Sequence, residues 1–177
     1  PSVAIGTYGD DITLRRIHAR GSPGEEGQAG VRVVAGRRVF VEACDMESGD
    51  DTFCAFPPEP LSAYGARRDV SDVTFQDCVG HSTSARFLAT GLTTAKVERR
   101  EDRNPVKVER IKFINCRGTN ADDRTAPALI VINANGLPGA AVRDVAFIDC
   151  RVSTRTKPGA AVRITGDPGA VIEDVSF

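Results

Sequence analysis

The stretch VERIKFINCR, residues 108–117, sets the apolar Ile111 and Phe113 two apart around a charged Lys112 and then places Cys116 three residues on. Three other segments align with it: RRVFVEACDM (37–46), VSDVTFQDCV (70–79) and VRDVAFIDCR (142–151). DDITLRRIHA (10–19) is a weaker copy, and VIEDVSF (171–177) is a partial sixth. One apolar position therefore reads Leu14, Val41, Phe75, Phe113, Phe147, Phe177. The position two residues earlier reads Ile12, Val39, Val73, Ile111, Val145, Val175, and the one three residues later reads Ile17, Cys44, Cys78, Cys116, Cys150. Alternation of this kind marks a strand with one buried face.

Along the first series the copies recur at 27, 34, 38, 34 and 30 residues. Each unit also carries a second apolar stretch: GVRVVAG (30–36), TFCAF (52–56), ARFLATG (85–91), ALIVINANG (128–136) and AAVRITGD (160–167). Gly, Pro, Asn and Asp punctuate the joins. A unit of this length, with two or three short strands and no amphipathic helix, cannot bury its own apolar face, but it can do so when stacked on its neighbours. Like residues then lie over like at the strand spacing of about 4.8 Å. The pattern predicts an all-β chain, a right-handed parallel β-helix of five to six coils, forming a single domain over residues 1–177. The Leu/Asn consensus of a leucine-rich repeat is absent, and no Asn-Gly or Asp-Gly turn joins matched strands as a β-sandwich would require. The chain starts at Pro1 and ends within a strand-like copy, so caps are expected to lie outside it, as in a fragment of a longer helix.

Four of the five cysteines fall on one ladder, where small buried thiols fill space. In-register parallel neighbours offer poor disulfide geometry, and thiols in a row do not form the tetrahedral corners of a zinc site. Neither a metal nor a cofactor is expected. Charge is balanced, with 23 Lys+Arg against 24 Asp+Glu, which argues against a nucleic-acid partner. No apolar run approaches the length of a membrane span. The absence of Trp removes one common sugar-stacking platform.

The segment ESGDDTFCAF (47–56) holds adjacent carboxylates, Asp50 and Asp51, after a Gly turn. Neighbouring side chains along a strand point to opposite faces, so both aspartates reach solvent only if they sit at a bend. Together with the coil layout, CDMESGDDTFCAF (44–56) and the following RRDVSDVTFQDC (67–78) resemble the polygalacturonase family of glycoside hydrolases (family 28), within the pectin-lyase-like superfamily. In that family a Gly-Asp-Asp or Gln-Asp-Asp turn carries two of three carboxylates of an inverting site. The resemblance implies that Asp50 is a general acid and that Asp51 holds or activates water. By analogy it also implies an exported protein, secreted or periplasmic. The chain departs from the family at three places. Ala29, in GQAG (27–30), stands where the third Asp belongs; the Gly-His-Gly motif is missing; and ALIVI (128–132) replaces Arg-Ile-Lys.

Inverting hydrolysis needs a protonated carboxyl and an ionised one roughly 6.5–9.5 Å apart, and close carboxylates push their pKa values apart. Glu26 is the stand-in for the missing base, Arg86 a bidentate partner for a uronate carboxylate, His81 an orienting group and Tyr64 a stacking surface for a sugar. A plain reading stands beside each assignment. Asp-Asp recurs at Asp10–Asp11 and Asp122–Asp123, where a solvated turn suffices; His81 reads as a loop histidine; and Arg86, between Ala85 and Phe87, reads as an exposed strand face. KVERREDRNP (96–105) reads as a solvated excursion. The expected function is polysaccharide or oligosaccharide hydrolysis. A non-catalytic glycan-binding, adhesin or tailspike-like module is the second expectation, and a uronate lyase or epimerase the third.

Overall fold

A computed structural model describes residues 3–21, 28–57, 68–83, 86–91, 106–120, 128–134, 138–154 and 160–177 of the chain. Among these residues there are sixteen strands and no helix: β1 (Val3–Tyr8), β2 (Thr13–Arg15), β3 (His18–Arg20), β4 (Ala29–Glu42), β5 (Asp45–Ser48), β6 (Phe53–Ala55), β7 (Val70–Gln76), β8 (Val79–Ser82), β9 (Leu88–Gly91), β10 (Lys107–Ile114), β11 (Arg117–Asn120), β12 (Ala128–Ala134), β13 (Ala141–Ile148), β14 (Arg151–Thr154), β15 (Ala160–Gly166) and β16 (Ile172–Ser176). Every pairing is parallel, and each links a strand to its counterpart one repeat away.

The pairings form three ladders. The first runs β1-β4-β6-β9-β12-β15, the second β2-β4-β7-β10-β13-β16 and the third β3-β5-β8-β11-β14. The long strand β4 serves both of the first two, pairing with β6 through Val31–Val33 and with β7 from Gly36 onward. Gly36 is the hinge between its halves: its φ of 116° lies in a region open to glycine, and a Cβ there would collide with the carbonyl of Gly9.

The repeat register read from the sequence is the register of the second ladder, with Leu14, Val41, Phe75, Phe113 and Phe147 paired in succession. Phe75, Phe113 and Phe147 stack with ring centroids 4.9 Å apart and planes 5° from parallel, and Phe177 lies 5.1 Å beyond Phe147. The spacing follows from the strand separation, which forces identical side chains into offset stacking. Cys44, Cys78 and Cys116 are buried, Cys150 is half-buried, and all five cysteines are free thiols. Each ladder thiol lies against the carbonyl two residues before it, such as Cys116 on Ile114, and against one on the neighbouring rung, such as Phe75.

Strict alternation breaks at one point in each copy. Val70, Val73 and Phe75 are all buried, as are Val108, Ile111 and Phe113, although the first two of each set are three residues apart. The extra residue adopts a left-handed backbone: Asp72 (φ 55°), Arg110 (57°), Asp144 (50°), with Asp11, Arg38 and Asp174 at the same place. Each shifts the inward-facing positions by one residue in every copy alike, so neighbouring strands stay in register across it. Asp and Asn tolerate this conformation better than most residues. Arg38 and Arg110 adopt it beside aspartates one rung away: Arg38 chelates Asp11 at 2.6 and 2.7 Å, and Arg110 chelates Asp72 at 2.6 and 3.0 Å. A second left-handed column, Arg16, Ala43, Asp77, Asn115 and Asp149, turns the chain into the third ladder just before each cysteine or Ile17. The Asp or Asn that precedes most of the repeat cysteines is thus the corner residue.

The third ladder was not read as strand from the sequence. Its inward positions are short: Ala19, Met46, Gly80, Gly118 and Val152 lie in register. Large rings from the first-ladder side fill the space left by the glycines, since a Cβ on Gly118 would fall within the Phe87 ring and one on Gly80 would meet Thr52 and Phe53. Gly118→Ala is therefore expected to cost about 1–3 kcal/mol by overpacking. Arg117→Ala, at an exposed position on the same strand, is the control and is expected to cost less than about 0.5 kcal/mol. A denaturant midpoint unchanged by Gly118→Ala would show that Phe87 moves aside freely.

Candidate functional site

Two places collect polar chemistry, and they are distinct. The first is the corner between β5 and β6. Ser48 Oγ and Ser82 Oγ both donate to the Asp50 carbonyl, at 2.7 and 2.9 Å, and Ser48 also bonds Thr52 Oγ1 at 3.0 Å. These hydroxyls fix the turn that carries the paired aspartates. Asp50 is half-buried, whereas Asp51 is only 6% exposed. The expectation that both reach solvent fails at Asp51, because its carboxylate turns onto Arg86 of the next rung. Arg86 Nε and Nη2 engage the two oxygens of Asp51, the latter at 2.7 Å, and Nη2 also stands 3.8 Å from Asp50 Oδ1. Burial disfavours the Arg86 charge, but Asp51 and then Asp50 outweigh it and hold its pKa above the ordinary value. The fork expected to bind a uronate is thus occupied by the protein's own carboxylate.

Burial, and then the Asp51 charge, push the Asp50 carboxyl above its usual range, with Arg86 and Arg32 offsetting part of the rise. A raised carboxyl contributes stability below its unfolded-state value, and that contribution is lost as pH rises through the folded value. Asp50→Asn, which stays neutral, is expected to raise Tm at pH 7 and to leave it unchanged near pH 3. A thermal melt in which the variant is less stable at pH 7 would show that the Asp50 charge is favourable in place. Because both carboxylates meet one guanidinium nitrogen, they sit closer than the roughly 6.5–9.5 Å of an inverting acid/base couple.

The second place is a groove of about 570 Å³ on the outer face of the third ladder, lined by His18, Arg20, Asp45, Glu47, Val79, His81 and Thr119, with Ala19, Met46 and Gly80 beneath. Period-two alternation puts these residues on one face, and in-register stacking puts them in two rows. One row is His18, Asp45, Val79; the other is Arg20, Glu47, His81, Thr119. His18 Nδ1 lies 3.5 Å from Asp45 Oδ2, and Arg20 Nη1 lies 4.0 Å from Glu47 Oε2. His81 Nδ1 and Thr119 Oγ1 are hydrogen-bonded at 2.5 Å. Val79 is 49% exposed, an apolar side chain in a polar setting. Both histidines of the chain are here.

The structure brings Asp50, Asp51 and Arg86 together and places His81 apart from them, within β8 rather than in a loop. Glu26, Tyr64, Asp122–Asp123 and the 96–105 run lie outside the described residues. Ala29, at the position of the family's third Asp, is buried with Cys54, Phe56 and Ala89. Sequence reasoning missed His18, Arg20, Asp45, Glu47 and Thr119. The usable signal was the four-residue segment after each repeat cysteine, with polar residues at alternate positions. Among the described residues no group of three or more His, Cys, Asp or Glu side chains is placed to hold a metal, and no helix is long and apolar enough to cross a membrane. Comparison with known proteins finds no family model, no curated protein and no solved structure that matches the chain.

Proposed function

We propose that the chain forms a right-handed parallel β-helix of the pectin-lyase-like kind, and that it holds an elongated carbohydrate along the outer face of the third ladder. The observation that carries this reading is the groove itself, where carboxylates, imidazoles, a guanidinium and a hydroxyl on successive rungs surround one exposed valine. A sugar ring has the complementary character, with hydroxyls at its edge for Asp45, Glu47 and His81 and a C–H face for Val79. Polar groups at strand spacing suit an elongated ligand, because successive rungs each offer a donor or an acceptor along one line.

Affinity electrophoresis through gels containing xylan, galactan or polygalacturonate tests it. Asp45→Ala and Glu47→Ala are expected to weaken retardation about tenfold, the effect of one or two lost charge-assisted hydrogen bonds. Lys112→Ala, on the outer face of the second ladder, is expected to leave it unchanged. Equal retardation of all three variants would place the carbohydrate elsewhere, and no retardation of the wild-type protein in any gel would sink the reading.

A second reading is hydrolysis with Asp50 as general acid, in the manner of the polygalacturonases. The half-buried Asp50 carboxyl with its raised pKa favours it, since a proton donor must keep its proton near working pH. Loss of reducing-sugar release in Asp50→Asn, with retention in the gel preserved, supports this reading; release that persists in the variant rules it out.

A further inference from the structure

Within the groove, His81 has a neighbour on each side along its row. Glu47 is in register on the preceding rung and Thr119 on the following one. The 2.5 Å bond between His81 Nδ1 and Thr119 Oγ1 fixes the ring and commits one nitrogen, leaving Nε2 for a ligand. Val79 shares the outer face of β8 with His81, two residues away, and is the groove's exposed apolar surface. Arg20, whose side chain is 86% exposed, is the cation on the rim.

Resting on the reading that this groove holds a carbohydrate, we propose that it also hydrolyses short acyl esters carried on that carbohydrate, with His81 as general base and Thr119 as its positioning residue. His81 donates Nδ1–H to Thr119 Oγ1, so that Nε2 carries the free lone pair. Nε2 takes a proton from water as the water oxygen bonds to the acyl carbon, and the carbonyl oxygen becomes an alkoxide. On collapse the acyl carbon–oxygen bond to the sugar breaks, and the imidazolium returns its proton to the departing sugar oxygen. The products are the free acid and the sugar hydroxyl, and no co-reactant beyond water is used. Glu47 stabilises the imidazolium across one strand spacing. Val79 seats the acyl methyl. General acid–base catalysis by one positioned side chain contributes about 10²–10⁴-fold.

The test is acetate release from acetylated xylan and hydrolysis of 4-nitrophenyl acetate, run beside gel retardation. The wild-type protein is expected to release acetate. His81→Gln is expected to lose about 10²-fold or more in kcat while its far-UV circular dichroism matches wild type. Thr119→Val is expected to lower kcat with KM unchanged, and Thr119→Ser to restore it, a rescue that a merely structural role would not give. Acetate release equal in wild type and His81→Gln overturns the assignment. Retardation without acetate release from either probe overturns the esterase and leaves the carbohydrate reading standing. Absence of both overturns the two together.

Discussion

Phe113→Ala is expected to be the most damaging single change in the described fold, with a loss of about 3–5 kcal/mol. Phe113 is fully buried and stacks at 4.9 Å on Phe75 below and Phe147 above, so truncation opens a void with ring walls on both sides. Neither wall can close it, because each ring is held at the strand spacing by its own rung. For a chain of this size the loss corresponds to a fall of roughly 10 °C or more in Tm. Ile148→Ala is the internal control: this apolar side chain on the outer face of the same ladder is 44% exposed, and its truncation is expected to cost less than about 1 kcal/mol. Hydrogen exchange separates the mechanism from a general loss of fold. Amides of β7, β10 and β13 are expected to lose protection first in Phe113→Ala, because each rung is stabilised by its neighbours. Equal melting temperatures for the two variants would contradict a stacked-ring core.

Arg86→Ala ranks second. Removing one partner of a buried ion pair leaves the other charge desolvated and unpaired, which costs about 3–5 kcal/mol in full burial. Arg86 keeps 25% of its side chain exposed, against 9% for Asp51, so screening reduces the expected loss to about 2–3 kcal/mol. Arg86→Lys keeps the charge but not the fork and is expected to recover less than half of that. The double replacement Asp51→Leu/Arg86→Leu is expected to be nearer wild type than the sum of its single variants, since no orphan charge remains. Additive losses measured by chemical denaturation would mean that the two residues do not act as a pair. An Arg86→Ala variant as stable as wild type would free the guanidinium for a substrate carboxylate.

The repeat was legible in the sequence because stacked rungs impose identity at fixed positions. Phe75, Phe113 and Phe147 show it most plainly, since each can pack only on its own copy. The left-handed columns were also written there, as the Asp or Asn before Cys78, Cys116 and Cys150 and as Asp72, Arg110 and Asp144, but they read as polar strand residues until the backbone was seen. The third ladder escaped because its strands span four residues and its core positions include Gly80 and Gly118, which carry no hydrophobic signal. That omission hid the groove. His81 looked like a loop residue near Asp50, although it belongs to a groove formed with His18, Asp45 and Glu47, residues up to 63 positions away in the chain. The ion pair of Asp51 with Arg86 was equally invisible, because the two are 35 residues apart and only the rung stacking brings them together.

Chemical-shift mapping of the isotopically labelled protein against xylo-, galacto- and galacturono-hexasaccharides tests the placement of the binding surface most directly. At least one of these probes is expected to move the amides of Asp45, Glu47, Val79, His81 and Thr119 and to leave those of Asp51 and Arg86 in place. Shifts centred on Asp50, Asp51 and Arg86, with the third ladder unmoved, would contradict that placement.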